Sequence, residues 1–266
     1  MLKQRILTAL VLAPLALGGL FGLSGGGFAA FTAFVLLLGA WEWARLAGFD
    51  AVKPRLLYTA GLGLLLLVAW WSGWVVERWP LWGGALGWLA NTWWISRYPG
   101  ATGQWQPPVL RLSMGVWVLL PCWVGLYQLR QQGSEWLLFV LLLVWVADIG
   151  AYFAGRRYGR RKLAANVSPG KSWEGVYGGW VAVALLVLVY AAWLELDFGQ
   201  ALALLVVALV VAFISVIGDL LESMLKRFCG LKDSSHLLPG HGGILDRIDS
   251  LTAAVPLFAL IRPWLG

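Results

Sequence analysis

The sequence predicts an all-α, polytopic transmembrane helix bundle of about nine spans, with its N-terminus in the cytoplasm and its C-terminus outside. Three observations lead there. Of the 266 residues, 60% are hydrophobic and only 12% are charged, about half the charged share of a water-soluble domain. So little polar surface cannot cover a globule in water, and the bilayer has to act as solvent. The apolar residues also gather into stretches of about 20, the length a helix needs to cross the hydrocarbon core. Finally, Lys and Arg concentrate in alternate connections, the pattern that sets membrane orientation.

The spans are expected near 5–23, 27–46, 57–75, 80–96, 110–129, 136–155, 175–194, 200–218 and 250–265. A helix bonds its own peptide groups, which is why a chain in lipid adopts it. The first span follows Met1-Leu2-Lys3-Gln4-Arg5 and mimics a signal peptide, but no polar domain follows, so it reads as a retained helix. The fourth is the weakest, because it holds Asn91 and Thr92, and the ninth is short. Trp70, Trp71, Trp74, Trp93 and Trp94, among 19 tryptophans, sit near span ends, where interfacial Trp is favoured.

With the N-terminus inside, 17 of the 20 basic residues fall in cytoplasmic segments, and only Arg78, Arg130 and Arg262 fall outside. The net charge of +7 is then a property of one membrane face, where it suits anionic headgroups. No nucleic-acid-binding motif accompanies it. Cys122 and Cys229 lack the spacing of a metal site or a disulfide framework. Glu42, between Trp41 and Trp43 near the end of the second span, is costly if buried and is expected to be paired rather than catalytic.

The chain divides into N-terminal helices, 1–130, and a C-terminal region, 131–266, that carries two long polar connections at 156–174 and 219–249. Both are expected on the cytoplasmic side, and long loops between tightly connected helices tend to carry function. The second holds five carboxylates and both histidines, His236 and His241. If the eighth helix continues past Asp219, then Asp219, Glu222, Ser223 and Lys226 share one face. Asp246 and Asp249, three apart, project together on a helix entering the last span. Paired carboxylates aimed at one point suit a hard cation such as Mg²⁺. Pro239-Gly240-His241-Gly242-Gly243 cannot be regular helix, and its glycines let the backbone approach a bound group closely. Lys226, Arg227, Lys232 and Arg247 add charge for phosphates. Together these features indicate metal-assisted phosphoryl or nucleotidyl transfer.

The segment from Ser223 to Asp249 resembles the signature of the phosphatidate cytidylyltransferases. Its fixed positions are Ser223, Lys226, Arg227, Lys232, Asp233, Ser235, Pro239, His241, Gly242, Gly243, Asp246, Arg247 and Asp249. The stretch from Asp148 through Tyr152, followed by Ser168-Pro169-Gly170-Lys171-Ser172-Trp173-Glu174-Gly175, is similar to the same family's upstream region. Asp148 and Tyr152 are expected to face the bundle interior. Gly170-Lys171-Ser172 lacks the spacing of a Walker loop, yet Lys171 and Ser172 remain candidates for nucleotide phosphates.

The resemblance implies that phosphatidic acid attacks the α-phosphorus of CTP, giving CDP-diacylglycerol and pyrophosphate in phospholipid biosynthesis. On it, Asp246, Asp249, Lys226, Arg227 and His241 are catalytic. Lys232, Asp233, Ser223, Gly242, Gly243, Arg247, Lys171 and Ser172 bind substrate. Asp219, Asp246, Asp249 and Asp148 hold Mg²⁺, alone or with a second cation. The implied partners are CTP, phosphatidic acid and the lipid bilayer, with no nucleic acid, and pairing of two copies is left open. The expected location is a bacterial inner membrane, with the site at its cytoplasmic face. The Asp-Gly-x-x-Ala-Arg array of the CDP-alcohol phosphotransferases is absent. A transporter would spread its polar groups along several spans, and here they crowd one face.

Overall fold

The structure, a computed structural model, describes residues 2–265, with side chains from Leu10 onward apart from Leu12. The expected basic residues Lys3 and Arg5 therefore have side chains outside the described set. The helices are α1 (Leu2–Gly22), α2 (Gly25–Leu46), α3 (Val52–Trp71), α4 (Trp79–Ser96), the single turn α5 (Thr102–Trp105), α6 (Pro108–Gln132), α7 (Ser134–Tyr158), α8 (Trp173–Trp193), α9 (Phe198–Phe228) and α10 (Leu245–Ile261). Six of them (α2, α3, α6, α7, α8 and α9) are long and apolar enough to cross a membrane. The chain is thus an all-helical, multi-pass membrane protein. Helices α1, α4 and α10 complete the bundle but fall short of that measure among the described residues.

One departure from an all-α chain lies in the first long connection. Strands β1 (Lys162–Ala164) and β2 (Ser168–Ser172) form an antiparallel hairpin there. Ser172 ends it and starts α8, because its hydroxyl accepts a hydrogen bond from Gly175 N at 3.2 Å. At the other end of α8, Asp197 and Gln200 form a capping box that starts α9.

Bonds between helix ends show that the long helices alternate in direction. At one end, Arg45 donates to Ser234 O, Arg55 to Trp41 O, and Arg111 to Leu46 O. At the other, Arg130 donates to Leu23 O, Gln128 to Glu77 O, and Tyr190 to Glu135 O. Hence the C-terminus of α2, the N-terminus of α6, the C-terminus of α9 and the N-terminus of α10 meet at one end of the bundle. Arg227 on α9 donates to Val167 O and brings the hairpin to that same end.

Two close crossings set the geometry. In α7 and α8 the backbones touch: a Cβ on Gly150 would stand 2.7 Å from Gly178 O, and one on Gly179 would stand 2.9 Å from Ala147 O. Small residues permit such contact in a lipid-soluble bundle, where packing rather than water drives association. Helices α9 and α10 cross at Gly218, whose added Cβ would lie 2.5 Å from Asp249 O. That crossing sets Asp219 and Asp249 beside each other. Helix α9 has 31 residues and is about 46 Å long. The apolar part, Phe198 to Gly218, can span the core alone, and the polar turns beyond it belong to the site. Gly218→Leu should force α10 away and lower the thermal midpoint in detergent, at a cost of about 1–3 kcal/mol for overpacking. An unchanged midpoint would show that the crossing tolerates a side chain.

Candidate active site

The second long connection is shorter than its sequence suggested, because helix consumes both ends of it. Helix α9 runs to Phe228 and α10 begins at Leu245. Between them the chain turns back on itself: Leu238 N donates to Gly242 O and His241 N to Leu238 O, both at 2.8 Å. Gly240 and Gly242 take left-handed φ angles of 75° and 81°, which other residues adopt only with strain. Gly243 has a different constraint. A Cβ there would collide with the Ser234 hydroxyl and the Glu42 carboxylate.

Asp246 holds this turn. One oxygen accepts from Ser234 N at 2.9 Å, Ser234 Oγ at 2.8 Å and Gly243 N at 2.8 Å. The other accepts from Lys226 Nζ at 2.7 Å. Lys226 also donates to Glu222 Oε2 at 2.9 Å, one turn back on α9. The lysine thus lies between two carboxylates and bridges them. Asp246, expected from the sequence as a metal ligand, clasps the turn in this arrangement through both of its oxygens.

Glu42 is the residue whose importance the sequence understated. It is 0% exposed and reaches the site from α2. Its carboxylate accepts from Ser235 Oγ and Ile244 N on one oxygen, and from Ser234 Oγ and Leu245 N on the other. It therefore caps α10 as well as anchoring the Ser234-Ser235 turn, a favourable place for negative charge. Pairing was expected of Glu42, but its partners lie some 190 positions further along the chain, beyond the reach of local pattern. Ser234 also emerges as a site residue, as does Glu222.

The first long connection supplies Lys171. Its Nζ lies 2.7 Å from Asp219 Oδ2, and Ser223 Oγ donates to the other Asp219 oxygen at 3.1 Å. Asp148 is within electrostatic range of both Lys171 and Asp219. Contrary to expectation, Asp148 and Tyr152 are open to the surface, and Tyr152 accepts from Arg156. Ser172, expected to meet phosphate, is buried and occupied with capping α8. Part of the basic run is also structural: the backbone N–H groups of Arg160 and Arg161 donate to Glu174.

Asp249 lies beside Asp219 and Glu222. Its Oδ1 accepts from Ser250 N, its own neighbour, and the buried Glu222 carboxylate lies against it. Lys232 and Arg247 are exposed, Asp233 is half-buried near Gly242, and His241 is half-buried with Nδ1 lacking a partner. Arg227 is exposed beside the hairpin. Arg247 donates through Nε and Nη2 to His241 O. Cys229 donates to Leu46 O. Burial pushes its thiol up, so it is protonated at neutral pH and no nucleophile.

Carboxylates, ammonium groups and a glycine turn gathered at one end of an apolar bundle define a multi-pass membrane protein with a polar site at that end. Residues 3–264 match the cytidylyltransferase family, and the chain belongs to it. It is 50% identical to the phosphatidate cytidylyltransferase of Pseudomonas aeruginosa over 98% of this chain and 97% of that one. It is 39% identical to the Haemophilus influenzae enzyme of the same name, covering 97% and 98%. The corresponding protein of Brucella suis is 35% identical, covering 97% and 92%.

Removing Glu42 should loosen the whole turn. Glu42→Ala removes the acceptor of the Ser235 hydroxyl and of two backbone N–H groups, at about 1–3 kcal/mol for each that stays buried, while the Ser234 hydroxyl keeps Asp246. Limited proteolysis between Lys232 and Arg247 should become fast in this variant and stay slow in Glu42→Gln, which keeps one acceptor. Equal protection in all three proteins would show that the turn stands without its anchor.

Proposed function

We propose that this enzyme transfers the cytidylyl group of CTP to phosphatidic acid, forming CDP-diacylglycerol and pyrophosphate. One observation carries the reading within the family. Two separate polar connections are joined at the site end by the Lys171–Asp219 pair, next to the Lys226 cluster. A phosphate oxygen of phosphatidic acid forms a bond to the α-phosphorus of CTP, and the bond from that phosphorus to the β-phosphate bridge breaks. The attacking phosphate is already ionised near neutral pH, so the site needs charge neutralisation and in-line placement more than a general base.

The residues fit a hard divalent cation. Asp249 lies within electrostatic range of both Glu222 and Asp219, and carboxylates crowded in this way repel one another, which a cation relieves. The donors are all oxygens, which Mg²⁺ favours. No group of three metal-binding side chains is preformed among the described residues, but Mg²⁺ commonly uses one or two carboxylates and completes its shell with water and substrate phosphates. Asp219 and Asp249, with Asp148 nearby, would hold it. When bound, Mg²⁺ supplies charge neutralisation at the triphosphate.

Lys171 is the natural first contact for CTP. A phosphate that draws its ammonium away frees Asp219 for the cation. Lys232, exposed, suits the remaining phosphate charge of CTP, and Arg247, also exposed, suits the phosphate of the lipid substrate. Asp246 and Lys226 keep Gly242 and Gly243 in place so that the turn can lie close to the nucleotide. The Lys and Arg distribution and the alternating helices support nine spans, with the N-terminus and site at the cytoplasmic face of a bacterial inner membrane and the C-terminus outside. CTP is water-soluble and the lipid is not, so that boundary suits both.

Purified protein in detergent should release pyrophosphate from CTP only when phosphatidic acid and Mg²⁺ are both present. Asp219→Asn and Asp249→Asn should each lower that rate about a hundredfold or more without changing the thermal midpoint. Normal turnover in both would refute the cation assignment. Lys171→Met should raise KM for CTP while leaving KM for phosphatidic acid in place, and the opposite split would move Lys171 to the lipid side.

A further inference from the structure

Arg247 has one face on the polar turn and another on an apolar groove. The groove, about 220 Å³, lies among α1, α2, α6, α7 and α10 and is lined by Ala16, Val35, Leu126, Trp145 and Leu251 along with Arg247. Arg247 stands near the N-terminus of α10 at the site end, with Leu251 one turn deeper. Its Nε and Nη2 are held by His241 O, which fixes the guanidinium plane while Nη1 carries no bond among the described residues. The groove continues past Val35 and Trp145 to Leu126, toward the opposite end of the bundle. A charged fork above an apolar channel that opens at the bundle surface matches a lipid with an anionic head.

Building on the transferase reading, we propose that this groove holds an acyl chain of the phosphatidic acid substrate, with Arg247 gripping its phosphate. Apolar lining supplies hydrophobic contact along the chain, and the guanidinium discriminates a phosphomonoester from neutral lipid. The larger cavity between α2 and α3, about 650 Å³, contrasts with it. Its lining, which includes Ala60, contains no charged residue, and nothing there would select a phosphate.

The test uses the full chain in phosphatidylcholine nanodiscs with a phosphatidic acid that carries a diazirine midway along one acyl chain. Photolabel should fall on the α2 and α7 peptides around Val35 and Trp145. Unlabelled phosphatidic acid should displace it, and diacylglycerol should not. Ala16→Trp and Val35→Trp, which fill the groove, should raise KM for phosphatidic acid about tenfold and leave KM for CTP alone, whereas Ala60→Trp should change neither. Label spread over α3 and resistant to displacement would mean bulk lipid only and overturn the proposal, as would an unchanged KM for phosphatidic acid in both groove variants. The two readings separate cleanly. Specific labelling without pyrophosphate release supports the groove and sinks the transferase, while turnover with labelling elsewhere sinks the groove alone.

Discussion

A carboxylate with no exposure to solvent must be satisfied from within, and Glu42 meets that requirement by binding the site together. Its four acceptor bonds reach the Ser234-Ser235 turn and the first N–H groups of α10. Without it the Ser235 hydroxyl and the N–H groups of Ile244 and Leu245 would lose their acceptor in an apolar bundle. The anchor therefore works in both directions. The N-terminal helices reach the candidate site through this side chain and through Arg45, which donates to Ser234 O.

Lys226 extends the same logic to the C-terminal helices. A single ammonium group between Glu222 and Asp246 joins α9 to α10, and Asp246 in turn holds the glycine turn. Gly218 lets those helices approach until Asp219 and Asp249 are neighbours. The site is thus a balance: enough positive charge to assemble the carboxylates, and enough crowded negative charge at Asp219, Glu222 and Asp249 to favour a cation.

Much of this was legible in the residues. The clustering of acidic, basic and glycine residues after Asp219 marked the site, because an apolar chain has no other use for so many ionisable groups in one stretch. The sequence ended the eighth span at 218 and offered its continuation only as a condition for Asp219, Glu222, Ser223 and Lys226 to share a face; the helix does continue to Phe228, and two of those pairs are bonded. The β-hairpin at Lys162–Ser172 was not legible. Its strands are too short, and Pro169-Gly170 reads as a turn. Ser172 looked like a phosphate contact, but the same hydroxyl serves as the helix cap. Asp148 and Tyr152 lie on an apolar helix, and their spacing could not say which side of it faces a neighbour.

The sequence by itself determined the solvent, the helical class, the family signature and the stretch that carries the chemistry. Those are properties of composition and local spacing, which survive without knowing what touches what. Tertiary structure decided the arrangement of the acidic groups: Glu42 as anchor, Asp246 as clasp, Asp219 joined to Lys171, and Asp249 set beside Asp219 and Glu222. That arrangement depends on which helix ends meet and how closely the backbones approach, so it exists only once the bundle is packed.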